Sequence, residues 1–285
     1  MAHISSPTEL EGFGLGLRAK HYQDILAQEI PASKDGPQWF EALTDNYMND
    51  GGLPLHYLSQ VAERYPLSLH GVGLSLGSTD PLNDDYLTKL STLVKRFGPR
   101  HVSDHVCWSS AAGVHGHDLF PMPYTEHAAK HIAERITQVQ ERLGQQILIE
   151  NVSSYLQFNE SYLSEVEFLC EVLERADCLL LCDINNIYVS AVNHGFSAQD
   201  YISRLPGKRI KEFHLAGFED QGTHLLDTHG ARVHEEVWTL YRIALELFGQ
   251  VPTLIEWDTN IPEYSVLLEE LEKAQVLSKE TLSVA

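Results

Sequence analysis

Leu179-Leu-Leu-Cys-Asp-Ile184 decides how this chain is read. Its side chains are apolar on both alternating faces, as in a strand covered on two sides rather than one with a wet face. Similar short runs recur at Gly12–Arg18, Trp39–Leu43, Leu67–Val72, His101–Val106, Ile147–Asn151, Ile210–Leu215 and Thr253–Trp257. Helical patterns separate them, most clearly at Tyr86–Phe97, Thr125–Leu143, Tyr162–Glu174, His234–Phe248 and Tyr264–Lys273. In the second of these, Ala129, Ile132, Ala133, Ile136, Val139 and Leu143 recur at three- and four-residue steps, giving one apolar face for a sheet. Eight such alternations predict an α/β fold: a single (β/α)8 TIM-barrel domain over 1–285, with its core at about 12–273 and a polar C-terminal tail. A doubly wound open sheet is the other arrangement that alternation allows. Gly12-Phe-Gly-Leu-Gly-Leu-Arg18 gives it no support, because the glycines lie within the first strand and no Gly-x-x-Gly step opens a helix after it.

Composition narrows the function. Of 285 residues, 43% are hydrophobic and 21% charged, which describes a chain that buries a large core. Twenty Lys+Arg against 40 Asp+Glu leave a formal charge of −20, which argues against nucleic acid as a partner. Cys107, Cys170, Cys178 and Cys182 form no C-x-x-C pair and read as reduced thiols. The opening Met1-Ala-His-Ile-Ser-Ser-Pro-Thr-Glu9 has neither a basic nor an apolar signal region, and no run is apolar enough to cross a membrane. A cytoplasmic protein with no membrane contact is expected.

Barrel chemistry sits at the C-terminal ends of strands, so the residues that end each run are informative. The third run ends Leu69-His70-Gly71, the fourth Ser103-Asp104-His105 and the fifth Ile149-Glu150-Asn151. The sixth ends Cys182-Asp183 before Asn186, the seventh Phe213-His214-Leu215 and the eighth Ile255-Glu256-Trp257-Asp258. A loop after the seventh adds Asp227 and His229, two residues apart and therefore on one side of an extended segment. Four carboxylates converging on one mouth would repel unless a cation offsets them. Imidazole and carboxylate without thiolate suit iron, manganese or catalytic zinc rather than Cys-rich structural zinc. Eight candidates exceed what one ion needs, so two or three metals are expected, with Glu150 placed to bridge.

Each residue also has a plainer reading. His70 alone would be an ordinary core histidine, Asp183 could cap the next helix, and Asp227 could make an Asx-turn. One metal centre accounts for all of them together. Elsewhere, His127 and His131 have i, i+4 spacing but sit on an outer helix without a third ligand, so solvent exposure is expected. His101 begins its strand, at the stability end of the barrel. His115 and His117 lie in a Gly-containing loop after the fourth strand that could cover the site. His194, in Val192-Asn-His-Gly-Phe196, is a candidate extra ligand or substrate contact.

Five stretches carry a family resemblance: Ser68-Leu-His-Gly-Val-Gly-Leu-Ser75, Ser103-Asp-His-Val-Cys-Trp108, Ile149-Glu-Asn-Val-Ser153, Cys182-Asp-Ile-Asn-Asn-Ile-Tyr-Val189 and Phe213-His-Leu-Ala-Gly217. With them the chain resembles, over nearly its whole length, the multinuclear non-haem iron-dependent oxidative enzymes. That family was long catalogued as uncharacterised and includes the iron enzyme of methanobactin biosynthesis. The resemblance implies a xylose-isomerase-like barrel with two or three iron ions (Fe2+/Fe3+) at its mouth. His70 and His105 would hold one, Glu150 would bridge, Asp183, His214 and Glu256 would hold a second, and Asp227 and His229 a third. Asp104, Asn151, Asn186 and His194 fall in shared motifs and would support the ligands or touch substrate. The implied activity is O2-dependent oxidative modification of cysteine residues in a ribosomally made precursor peptide, often delivered by a separate partner protein. Rival readings are a divalent-metal sugar isomerase or epimerase, or an endonuclease-type hydrolase, of the same barrel class. A non-enzymatic scaffold is the last, and predicts that ligand substitutions change nothing.

Overall fold

Eight parallel strands close into a barrel in the computed structural model, which describes residues 6, 9–28 and 35–284. They are β1 (Phe13–Gly16), β2 (Trp39–Leu43), β3 (Leu67–Gly71), β4 (His101–His105), β5 (Leu148–Glu150), β6 (Leu179–Asp183), β7 (Ile210–Leu215) and β8 (Thr253–Ile255). Every strand pairs with its neighbours in sequence, and β1 closes on β8 through Phe13↔Thr253 and Leu15↔Ile255. The eight runs expected from sequence are these eight strands. The helices are α1 (Tyr22–Leu26), α2 (Leu53–Ala62), α3 (Asp84–Phe97), α4 (Glu126–Leu143), α5 (Glu165–Ala176), α6 (Ile184–His194), α7 (Ala198–Ser203), α8 (Glu235–Phe248) and α9 (Tyr264–Val284).

Local chemistry sets their limits. Thr125 Oγ1 accepts from Ala128 N to start α4, and Gly144, at φ +74°, ends it. Ser164 and Glu167 form a reciprocal capping box on α5. The face of α4 read from sequence is the buried one, with Ala129, Ile132, Ala133, Ile136 and Val139 in the core between helices and barrel. Gly14 is needed for a different reason: a Cβ there would lie 2.5 Å from the Trp39 ring. Trp39, Leu10 and Leu254 form a separate buried cluster, as do Leu148, Leu179 and Leu181.

Two features differ from the sequence reading. The residues after Lys273 are not a peripheral polar tail but the continuation of α9, with Ala274, Leu277 and Ser278 buried and Ser278 Oγ donating to Gln250 Oε1 at 2.5 Å. Apolar positions spaced along that segment supply the packing that its polar average hides. The loop after β4 is an antiparallel hairpin, Trp108–Ala111 with Val114–Phe120. His115 and His117 are exposed on it.

Candidate metal centre

Register brings the strand-end residues together before any side chain is considered. His105 lies opposite Glu150 across β4–β5, Asp183 opposite His214 across β6–β7, and His70 opposite Ser103 across β3–β4. Among the described residues four sets of His and carboxylate atoms result, the members of each within 4.8 Å of one another and every residue buried. They are His70/His105/Glu150, Glu150/Asp183/His214, Asp183/His229/Glu256 and Glu41/Glu212/His214. Glu150 belongs to two of them, as does Asp183.

The first set shows why these residues fit a cation. His105 Nδ1 donates to the Gly71 carbonyl at 3.1 Å, which fixes the hydrogen of the neutral ring on that nitrogen. Nε2 therefore presents a lone pair toward Glu150 Oε2, 3.3 Å away, while His70 Nε2 faces the same oxygen at 3.2 Å. Burial holds the His70 imidazole down at about 4 and, with the His70 ring beside it, the His105 imidazole at about 3, so both are neutral at pH 7. Burial also pushes the Glu150 carboxyl well above its usual range. Glu150 Oε2 has no hydrogen bond. Without an ion these atoms are satisfied only if Glu150 keeps a proton for His105 and Ser103 Oγ donates to His70 Nδ1 so that His70 Nε2 becomes a donor, whereas a divalent ion would answer all three atoms at once.

Asp183 shows the plain and the metal reading at once. Its Oδ1 caps α6 by accepting from Asn186 N at 2.5 Å, yet its Oδ2 is buried without a partner. Burial raises this carboxyl to about 7. Asn151 ties it in place reciprocally, donating to Asp183 O (2.9 Å) and accepting from Asp183 N (3.0 Å). Asn186 Nδ2 reaches Glu150 Oε1 (3.3 Å) and Asn151 O (3.1 Å). Asp104 stays outside the four sets: its oxygens accept from His105 N and Leu74 N, holding the chain on either side of the His70 strand end.

His229 adopts φ +44°, strained for a residue with a Cβ, and its carbonyl accepts from Asp258 N at 2.7 Å. Its Nδ1 lies 3.2 Å from Glu256 Oε2 and 3.3 Å from Asp258 Oδ2. Burial opposes the charge on His229 and on His214, but neighbouring carboxylates outweigh it and hold both imidazoles well above their ordinary value. Glu256 is correspondingly low despite burial, because His214 and His229 flank it. Arg18 closes this side, paired with Asp258 and 3.9 Å from Glu256 Oε1.

The geometry regroups some of the implied ligands. Glu256 gathers with Asp183 and His229 rather than with Asp183 and His214, although His214 Nδ1 is 3.0 Å from it. Asp227 joins none of the four sets found among the described residues; it lies 2.7 Å from His229 Nε2 and accepts from Asn185 Nδ2 and Ser153 Oγ. His194 is not brought to the centre. Its Nε2 is 2.7 Å from Ser154 Oγ, on the wall of a separate hollow of about 380 Å3 that Tyr124, Phe196 and Tyr201 also line. His131, expected in solvent, is half-buried with Nε2 2.8 Å from the Ser78 carbonyl, whereas His127 is exposed. Sequence reasoning missed Glu41 and Glu212, and passed over Asp258 and Arg18. A mid-strand acid two residues before His214 was the available signal for Glu212. The mouth opens into a hollow of about 230 Å3, lined by His70, His105, His229 and Tyr155 and by Asp118 and Leu119 of the hairpin. Those two, not His115 and His117, are what the hairpin presents to it.

Solved structures with this fold include a xylose isomerase domain protein from Alicyclobacillus acidocaldarius (TM-score 0.60, 17% identity, 95% of this chain and 100% of that one). An L-ribulose 3-epimerase (TM-score 0.61, 14% identity, 96% and 95% covered) is another, and at such identities the likeness shows the barrel alone. Sequence relatives run much nearer. A UPF0276 protein of Acaryochloris marina is 55% identical over 94% of this chain and 95% of its own length, and one of Anaeromyxobacter sp. is 50% identical over 93% and 92%. A family model described as "RiPP precursor modification enzyme MbnB/TglH/ChrH" matches residues 12–279, which takes in every strand of the barrel and all of the residues gathered at its mouth. The chain belongs to that family of RiPP precursor modification enzymes.

Proposed function

We propose that this protein is a multinuclear non-haem iron enzyme that oxidises cysteine residues of a ribosomally made precursor peptide with O2. The observation that carries the reading is Glu150: one buried carboxylate shared by two ligand sets, its Oε2 facing two neutral imidazoles and bonded to neither. His70, His105 and Glu150 would hold one ion, Glu150, Asp183 and His214 a second, and His229, Glu256 and Asp227 a third. Iron bound there would supply one-electron chemistry with O2 that zinc cannot. The chain's own residues hold the ligands in place through Ser103, Asn151 and Asn186, and keep water from the interior. A peptide would reach the centre through the hollow beside Tyr155 and the hairpin. A separate protein would deliver it, and the barrel over 1–285 would act as one catalytic domain. Four unpaired cysteines agree with a cytoplasmic setting.

The sugar isomerase or epimerase reading uses one acid–acid–histidine–acid set, here Glu150, Asp183, His214 and Glu256. It leaves His70 and His105 unexplained, which is why we favour the multinuclear centre. Anaerobic purification followed by metal analysis and Mössbauer spectra tests the choice: two or more irons per chain, and O2 uptake only with a Cys-containing precursor peptide, are expected. One zinc and no iron, or turnover with manganese and no oxygen, would refute it.

A further inference from the structure

We infer that Glu212, backed by Glu41, is a positioning residue: it takes the Nε2–H of His214 and so turns the Nδ1 lone pair toward the mouth of the barrel. The inference rests on the metal reading above and concerns carboxylates beneath the proposed ligands. His214 is wholly buried. Its Nδ1 is 3.0 Å from Glu256 Oε2, and the ring shares a ligand set with Glu150 and Asp183, whose Oε2 and Oδ2 have no hydrogen-bond partner. Its Nε2 looks the other way, 3.4 Å from Glu212 Oε1 and 3.4 Å from Glu41 Oε2.

A neutral imidazole has one donor and one acceptor nitrogen. With the hydrogen on Nδ1, the Nε2 lone pair would face two carboxylates and Glu212 Oε1 would keep no donor. With a hydrogen on Nε2, the two buried orphans His214 Nε2 and Glu212 Oε1 answer each other; in the ion-free protein Nδ1 also carries a hydrogen, given to Glu256 Oε2, and a cation at the mouth would take the place of that hydrogen while Nε2–H stays with Glu212. The lower carboxylates already have other donors: His101 Nδ1 lies 2.6 Å from Glu212 Oε2, and Ser68 Oγ donates to Glu41 Oε2 at 3.3 Å. They therefore act as acceptors for the ring rather than as ligands of a further ion. Strand parity sends Glu212 and His214 to the same inner face of β7. His101, at the start of β4, lines a hollow at the opposite end of the barrel with Lys211 and Gln250. Glu212 thereby ties a histidine of the barrel floor to a ligand of its mouth.

Apo-protein titrated anaerobically with Co2+, followed by its d–d absorption, tests this. Glu212→Leu should weaken one ion by about 10- to 100-fold and alter its spectrum, leaving the others unchanged, as loss of a group that orients a ligand does. Glu212→Gln, which keeps an acceptor oxygen, should fall between that variant and wild type. Glu41→Gln leaves the His101–Glu212 pair intact and should shift the same ion in the same direction by less. Unchanged Co2+ affinity and spectrum in both Glu212 variants would overturn the inference, as would loss of a whole ion beyond those held at the mouth, which would make Glu212 a ligand in its own right. Wild-type protein that takes up no cation would overturn the metal reading itself, so the two failures are distinct.

Discussion

Glu150→Gln should move the stability of the apo-protein and of the metal-loaded protein in opposite directions. In the apo-protein, Glu150 Oε2 faces His70 Nε2 at 3.2 Å and His105 Nε2 at 3.3 Å without a hydrogen bond. A glutamine amide can donate to one of those nitrogens while its oxygen still accepts from Asn186 Nδ2. Relieving one buried unsatisfied group is worth about 1–3 kcal/mol, or roughly 2–5 °C in Tm for a chain of this size. The sign depends on pH. Burial raises the folded Glu150 value above the unfolded one, so its contribution is fully present below the unfolded value and is lost as pH climbs through the folded one. Glutamine has no such dependence, so its advantage should widen with pH. Loaded protein should behave the other way, because the variant loses the shared ligand of two sets. At a free ion concentration about 100 times Kd each bound ion stabilises by about 2.7 kcal/mol, so two lost ions remove about 5 kcal/mol. Anaerobic metal counting beside calorimetry of both forms reads all of this. Loss of a single ion would show that Glu150 is not shared, and an apo variant less stable than apo wild type would show that the acceptors are not in conflict.

Other outcomes follow from the same geometry. Burial holds Asp183 at about 7, so metal uptake should weaken as pH falls from 8 to 6, by about tenfold per unit below 7 for that one proton; calorimetry in buffers of different ionisation enthalpy should count the release, and uptake independent of pH would contradict it. His194→Ala should keep its full metal content, because Nε2 is engaged with Ser154 beside a different hollow; a missing ion would place that ring at the centre. His127→Ala should be silent in both metal content and Tm, while His131→Ala, which gives up the contact with the Ser78 carbonyl, should cost about 1 kcal/mol in chemical denaturation. Equal effects from the two would mean that the i, i+4 pair acts as a unit.

How far the site was legible follows from the parity of the strands. A parallel barrel strand is apolar on both faces, so alternation along Leu179–Asp183 or Ile210–Leu215 does not say which face is inward. A polar residue at the C-terminal end is visible because it breaks the run, and that is how His70, His105, Glu150, Asp183, His214 and Glu256 were found. Glu41 and Glu212 lie one layer lower, inside the run, where an acid reads as a surface residue until an inward neighbour is fixed. Once His214 is placed, the residue two before it must share its face. The same step back from the other proposed ligands reaches Ser68 from His70, Ser103 from His105, Leu148 from Glu150, Leu181 from Asp183 and Leu254 from Glu256. The three leucines belong to small buried clusters, while Ser103 sits 2.8 Å from His70 Nδ1 and Ser68 donates to Glu41. Polar residues in this lower layer thus occur under the histidines and apolar ones under the acids of β5, β6 and β8. An imidazole has a second nitrogen that must be satisfied, whereas the Glu150 carboxylate is approached from the side by the Asn186 amide and Asp183 is held through its backbone by Asn151. Asp227 and Asp258 escape this rule because they sit beyond strand ends, where the strained backbone at His229 rather than a strand period sets direction.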